Sequence, residues 1–303
     1  MESVSFSWNP VADFQQMWAF PFMVNAFQAG AVVAVVAGAT GWFMVLRRQT
    51  FAAHTLSTVA FPGAAFATLV GAGLSLGYFG FCVAAALVLA VLRGGGTEGG
   101  SSEGGSSESA ATGVVQAFLL ACGYLFTALY KGLLEGPQSL LFGSFLGITA
   151  DQVTVLAAAG AAVLAVLAAI GRPLLFASVD PQVAAARGVP VRALSTVFLV
   201  LLGAATAEAA QITGALLVFA LLVLPAATAR QLTARPGPGV ALAVAIGFTV
   251  TWAGLIAAFY SPYPLGFFVT SFAFAAFLLV HAVRALAGAA GRGHVPLALG
   301  GTA

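Results

Sequence analysis

The run 176–192, FASVDPQVAAARGVPVR, is a short polar interruption between two membrane-length apolar stretches, and its reading sets the architecture on either side. Asp180 is placed to cap a helix start. Pro181 suits the first helical position, where its missing N–H would have had no partner, and Gly188 followed by Pro190 stops the chain. About two turns fit between them. So short a helix is unstable alone in water, because nucleation costs more than a few hydrogen bonds return. It must be held by its flanks or by a partner, and the stretch reads as a docking element joining two transmembrane helices.

The rest of the chain has the composition such an element needs around it. Of 303 residues, 61% are hydrophobic and only 7% charged, with a mean hydropathy of +1.03. A soluble globule carries roughly a quarter charged residues. The class expected is therefore all-α and polytopic, a multi-pass protein of the cytoplasmic membrane with the lipid bilayer as its first partner. A net charge of +2 gives no reason to expect nucleic acid as a partner. Cys82 and Cys122 sit singly in apolar runs, which indicates neither a disulfide framework nor a zinc knuckle. Residues 1–46 contain no Lys or Arg, so the positive region of a secretory signal is not expected there.

In order, residues 1–22 carry Trp8, Trp18, Pro10 and Pro21 and read as an interfacial segment. Apolar runs of about 20 residues, the length that crosses a ~30 Å hydrocarbon core, follow within a transmembrane region 23–286. They lie at 23–46 and near 55–72, 77–92, 113–133, 151–171, 193–210, 212–231, 239–259 and 267–286. That predicts about nine helices, or eight if the sixth and seventh are not separate spans. Thr149-x-x-Gln152 has the form of a capping box opening the fifth. Residues 94–109 read as a flexible Gly/Ser loop, and 287–303 as a tail.

Cations in short loops are retained on the cytoplasmic side. With the N-terminus outside, Arg47, Arg48, Arg93, Arg172, Arg187, Arg192, Arg230, Arg235, Arg284 and Arg292 all fall inside and only Lys131 outside. The expected topology is N-terminus out and C-terminus in, which makes 176–192 cytoplasmic.

No phosphate-cradling Gly-x-x-x-x-Gly-Lys-Ser/Thr, His-Glu-x-x-His or Gly-x-Ser-x-Gly occurs in the sequence. An enzyme is not indicated, and any ATP hydrolysis is expected on another chain. The informative residues are polar groups at membrane depth, which are costly unless they act. Glu208 is the one carboxylate inside an apolar run; it reads either as an interfacial or protonated group near Gln211 or as a cavity-lining one. His54 and His281 are the imidazoles in or beside spans, able to ligate a transition metal or to bond a carbonyl.

Several blocks resemble the membrane permease subunits of zinc/manganese/iron-type ABC importers. They are Phe43-Met-Val-Leu-Arg-Arg48 with Leu56-Ser57 and Phe61-Pro62-Gly63; Leu141-Phe-Gly-Ser144 with Gly147; Asp180-Pro181 with Ala184, Ala186-Arg187-Gly188 and Pro190; Gly214-Ala-Leu-Leu-Val218 with Ala220 to Ala229; and Pro264-x-Gly266. They run collinearly from 23 to 286. The resemblance implies a partner ATPase dimer in the cytoplasm, a second permease copy or a paralogue, and an extracytoplasmic solute-binding protein. It implies a transition metal as cargo, with no tightly bound cofactor. It assigns Asp180, Pro181, Ala184, Arg187, Gly188 and Pro190 to coupling with the ATPase.

One departure is visible. The family carries Asp-x-x-x-His before its Pro-Gly, a carboxylate and an imidazole on one helix face, and here His54 and Thr58 stand at those places. The translocation path is expected to use His54, Thr58 and Glu208. The cargo can be another metal, a chelate or haem-like complex, or a metal held with help from elsewhere, such as Glu208. An ion-gradient-driven transporter using Glu208 as proton carrier is the alternative from a different class.

Overall fold

A backbone in hydrocarbon has no water to bond, so each apolar run must satisfy its amides internally, and helix is the local solution. The computed structural model describes residues 10–94, 104–130, 147–215 and 217–292. Among them are eleven helices and no strand: α1 (Pro10–Trp18), α2 (Pro21–Leu46), α3 (Thr50–Val70), α4 (Leu74–Gly94), α5 (Gly104–Leu129), α6 (Ala150–Val179), α7 (Pro181–Ala186), α8 (Val191–Thr213), α9 (Val218–Leu232), α10 (Pro236–Phe259) and α11 (Leu265–Arg292). Buried threonines do not break the pattern, because their hydroxyls fold back on the preceding turn. Thr40 donates to Val36 O, Thr206 to Leu202 O and Thr228 to Leu224 O.

Eight of the described helices are long and apolar enough to span a membrane. Of the nine expected spans, the exception is α9. Its 15 residues rise only about 22 Å, short of the ~30 Å core. The expected span 212–231 is therefore corrected to a shorter helix. The α8 helix ends at Gly214 with φ +77, and the chain re-enters helix at Val218. A hydropathy profile does not register that break because both sides of it are equally apolar.

The α2 helix is the hub, packed against α6, α8, α9 and α10, while α8 also packs on α3 and α4. Close crossings use residues without side chains. Gly63 of α3 and Gly77 of α4 face each other's carbonyls, and Gly203 of α8 rests on the Cys82 carbonyl of α4. The α5 and α11 spans present most of their surface outward. The capping box is formed as expected: Gln152 N donates to Thr149 Oγ1 at 3.3 Å, and Thr149 N donates to Gln152 Oε1 at 3.1 Å.

The expected loop 94–109 is shorter than its composition suggested, since α5 starts at Gly104. Extending a formed helix by a few poor helix residues costs less than nucleating a new one. Residues 95–103 lie outside the described residues, as do Lys131 and the block Leu141 to Ser144.

Candidate functional site

The short helix between α6 and α8 forms where the residue types required it. Asp180, extended at φ −142 and ψ 92, accepts from Val183 N through Oδ1 at 2.9 Å, and Pro181 occupies the first helical position. At the other end Val189 N donates to Ala184 O at 3.0 Å and Gly188 N to Ala185 O at 2.9 Å. That pair is the Schellman closure, which needs a left-handed residue between its two donors. Gly188 supplies it with φ +78, and nothing lies within 4 Å of where a Cβ would sit. The demand for glycine there is torsional, not steric.

Only one side of α7 is covered. Ala184 is fully buried against the chain's own core, whereas Pro181, Gln182, Val183, Ala185, Ala186, Arg187, Gly188 and Pro190 are exposed. Small residues at 184–186 suit close approach of a partner, but only Ala185 and Ala186 face out, and Ala184 is the inward anchor. Beside them Val179 is 73% exposed and Val183 44%, an apolar edge around a capped helix.

The end of α2 reaches the same place. Arg47 donates through Nη1 to Ser178 Oγ of α6 at 3.0 Å and through Nη2 to Ser195 Oγ of α8 at 2.6 Å. Its guanidinium lies 5.6 Å from the centre of the Phe198 ring. Arg48 follows at φ 56, the one non-glycine residue with positive φ among those described.

In α3, Phe51, His54 and Thr58 share a face that the chain leaves partly uncovered in an otherwise buried helix. The His54 ring stands edge-on to Phe219 of α9, with centroids 5.1 Å apart. Thr58 Oγ1 donates to Thr55 O at 2.8 Å, and Ser57 Oγ to His54 O at 2.7 Å. Pro62 lies inside α3 and has no amide hydrogen to offer the Thr58 carbonyl one turn back. This face therefore offers an imidazole, a hydroxyl oxygen and a carbonyl without its usual helical donor.

Glu208 lies elsewhere. It is fully buried, and neither carboxyl oxygen has a hydrogen-bond partner. Its Oε1 fills the space where a Cβ on Gly160 of α6 would stand, at 2.8 Å, beside Val36 and Val32 of α2. The expectation of an interfacial group near Gln211 is corrected: Gln211 accepts from Ser75 Oγ of α4 at 2.7 Å and donates to Ala207 O. Among the described residues no three His, Cys, Asp or Glu side chains gather as metal ligands.

The family model for the ABC 3 transport family matches residues 19–284. The chain belongs to that family. Among curated ABC 3 relatives, it is 27% identical over 242 residues to the manganese transport system membrane protein MntC of Halalkalibacterium halodurans, covering 80% of each chain. It is 28% identical to the manganese import system permease protein ScaB of Streptococcus parasanguinis, over 69% of this chain and 72% of that one. It is 29% identical to the chelated iron transport system membrane protein YfeC of Yersinia pestis, over 81% and 80%. The solved structure of PsaBC from Streptococcus pneumoniae in complex with Fab superposes with a TM-score of 0.77 at 26% identity, covering 89% of this chain and 94% of that one. The protein is thus a multi-pass membrane permease subunit of an ABC importer.

Within this ABC 3 permease, sequence reading found the caps of α7 and the His54–Thr58 face but missed what Arg47 does. Arg47 counted only as a marker of the cytoplasmic side. The available signal was the pair of single serines on either side of the α7 caps, Ser178 inside the 176–192 stretch and Ser195 just after it.

Proposed function

We propose that this permease carries a transition-metal ion or a small metal complex inward, driven by an ATPase dimer that docks on α7. The observation that carries the reading is α7 itself: a six-residue helix closed at both ends, anchored by Ala184, and presenting Val183, Ala185 and Ala186 outward among exposed apolar neighbours. A rigid knob between two spanning helices can transmit closure of the ATPase as a rigid-body switch of α6 and α8. Family membership supports a partner that hydrolyses ATP, an extracytoplasmic binding protein that delivers cargo, and a second permease copy or a paralogue.

The cargo class rests on the relatives, named for manganese and for chelated iron, and on the α3 face. Imidazole suits zinc, copper, iron and nickel, whereas carboxylate suits manganese and magnesium. With His54 where the family has Asp, and Thr58 where it has His, the face keeps one imidazole and exchanges a carboxylate for a neutral hydroxyl, so it is less charged, which favours a metal complex, or a metal that imidazole suits, over free Mn²⁺.

The test is uptake by the reconstituted importer of Mn²⁺, Zn²⁺ and chelated iron in parallel. Gly188→Val, forcing a β-branched residue to positive φ at a cost of about 1–2 kcal/mol, should separate ATP turnover from uptake. Gly188→Asn, which tolerates that conformation, should retain both. His54→Ala should slow uptake of the preferred cargo. Unchanged uptake in properly inserted Gly188→Val and His54→Ala would refute the docking and pathway assignments respectively.

A further inference from the structure

We infer that Arg47 is a positioning residue that carries movement of α7 to the α3 face through the α2–α3 turn. The inference rests on the docking role proposed for α7. Three observations meet at this point. The guanidinium bridges Ser178, two residues before the α7 cap, and Ser195, near the start of α8. It therefore holds both helices that flank the knob. A planar two-pronged donor fixes direction as well as distance, which an ammonium on a flexible stem does not.

Arg47 also sits in a stiff connection. Gln49 N donates to Met44 O at 3.0 Å and Arg48 N to Val45 O at 3.2 Å, the same Schellman closure that ends α7. Here a non-glycine residue occupies the left-handed position at φ 56, a conformation the surroundings must hold in place. The α3 helix begins two residues later at Thr50, and His54 and Thr58 stand in its second and third turns. A displacement of the α6 and α8 ends thus reaches the His54–Thr58 face through three residues of turn, with no slack element between.

Finally, the Phe198 ring beneath the guanidinium covers one of its faces. The same α8 segment that receives the hydrogen bond also packs the cation, so α8 and the α2 end move as one body. Arg47→Lys keeps the cation and its place at the membrane edge but loses the fork.

The full importer, with its ATPase and binding protein in proteoliposomes, is assayed for Mn²⁺ and Zn²⁺ uptake and for ATP turnover. Arg47→Lys should lower cargo moved per ATP about tenfold, within the range of couplings between distant sites, while ATP turnover changes little. Ser178→Ala/Ser195→Ala should do the same, and adding Arg47→Lys to that pair should change the ratio no further. An unchanged ratio in Arg47→Lys, or a parallel fall of uptake, ATP turnover and thermal stability, overturns the inference. Gly188→Val separates the two levels. If it uncouples while Arg47→Lys does not, only the role of Arg47 falls; if neither uncouples, the docking reading falls with it.

Discussion

Two polar side chains occupy the junction of α2, α6 and α8 at different depths, and their treatment differs. At the end of the junction, Arg47 meets a serine from each neighbouring helix and an aromatic face. Deeper in, Glu208 Oε1 lies at the notch of Gly160 beside Val36 and Val32, and neither of its oxygens has a hydrogen-bond partner. Burial of a polar group is tolerated when its partners are made and costly when they are not. The difference teaches that the junction is tied together at its α7 end and left untied in the middle, which is where two helices can shift against a third.

The largest effect should come from breaking the tied end. Arg47→Met removes two charge-assisted bonds; at this partly buried site their loss is expected to cost about 2 kcal/mol, read as a lower unfolding temperature of the purified permease. A variant as stable as wild type would mean that the serines and the guanidinium are not paired in the membrane.

Gly160→Ala addresses the untied level. The added Cβ would meet Glu208 Oε1 at 2.8 Å, Val36 Cγ2 at 2.9 Å and Val32 Cγ1 at 3.0 Å. An overpacked contact of this kind costs about 1–3 kcal/mol. Combining it with Glu208→Ala should reduce that cost, leaving the part due to the valines. Additive losses would show that Glu208 does not face Gly160.

The smallest effect, and the one of opposite sign, is expected for Glu208→Met. An apolar chain of similar volume in place of an unpartnered carboxyl should leave stability unchanged or raise it by about 1 kcal/mol. Uptake should persist, because Glu208 is not among the groups offered by the α3 face. A clear loss of uptake with stability intact would restore Glu208 to the transport path.

How much of this was legible in the sequence follows from the range over which each feature is determined. The α7 caps were legible because Asp180, Pro181 and Gly188 act on backbone within a few residues of themselves. The capping box at Thr149 and Gln152 was legible for the same reason. A split between α8 and α9 was legible, but its place and the shortness of α9 were not, because the apolar run continues through the interruption, which falls at Gly214 rather than near 211.

The depth of Glu208 was also illegible. A place two residues before the expected span end at 210 suggests an interface, but the helix runs on to Thr213 and α2 and α6 close over Glu208, which only the tertiary arrangement says. Arg47 shows the converse error. Its charge reads as a marker of the membrane side, whereas in the fold its guanidinium reaches serines 131 and 148 positions away in the chain. No local pattern encodes such pairing.

The central claim is that the outward side of α7 is where a separate ATPase delivers its work. Cysteine cross-linking in the assembled importer tests it most directly, with Ala185→Cys on the exposed side and Ala184→Cys on the buried one. A cross-link to the ATPase from Ala185→Cys, with none from Ala184→Cys, is the result predicted. An Ala185→Cys that stays unlinked to the ATPase in a complex still competent for uptake would contradict it.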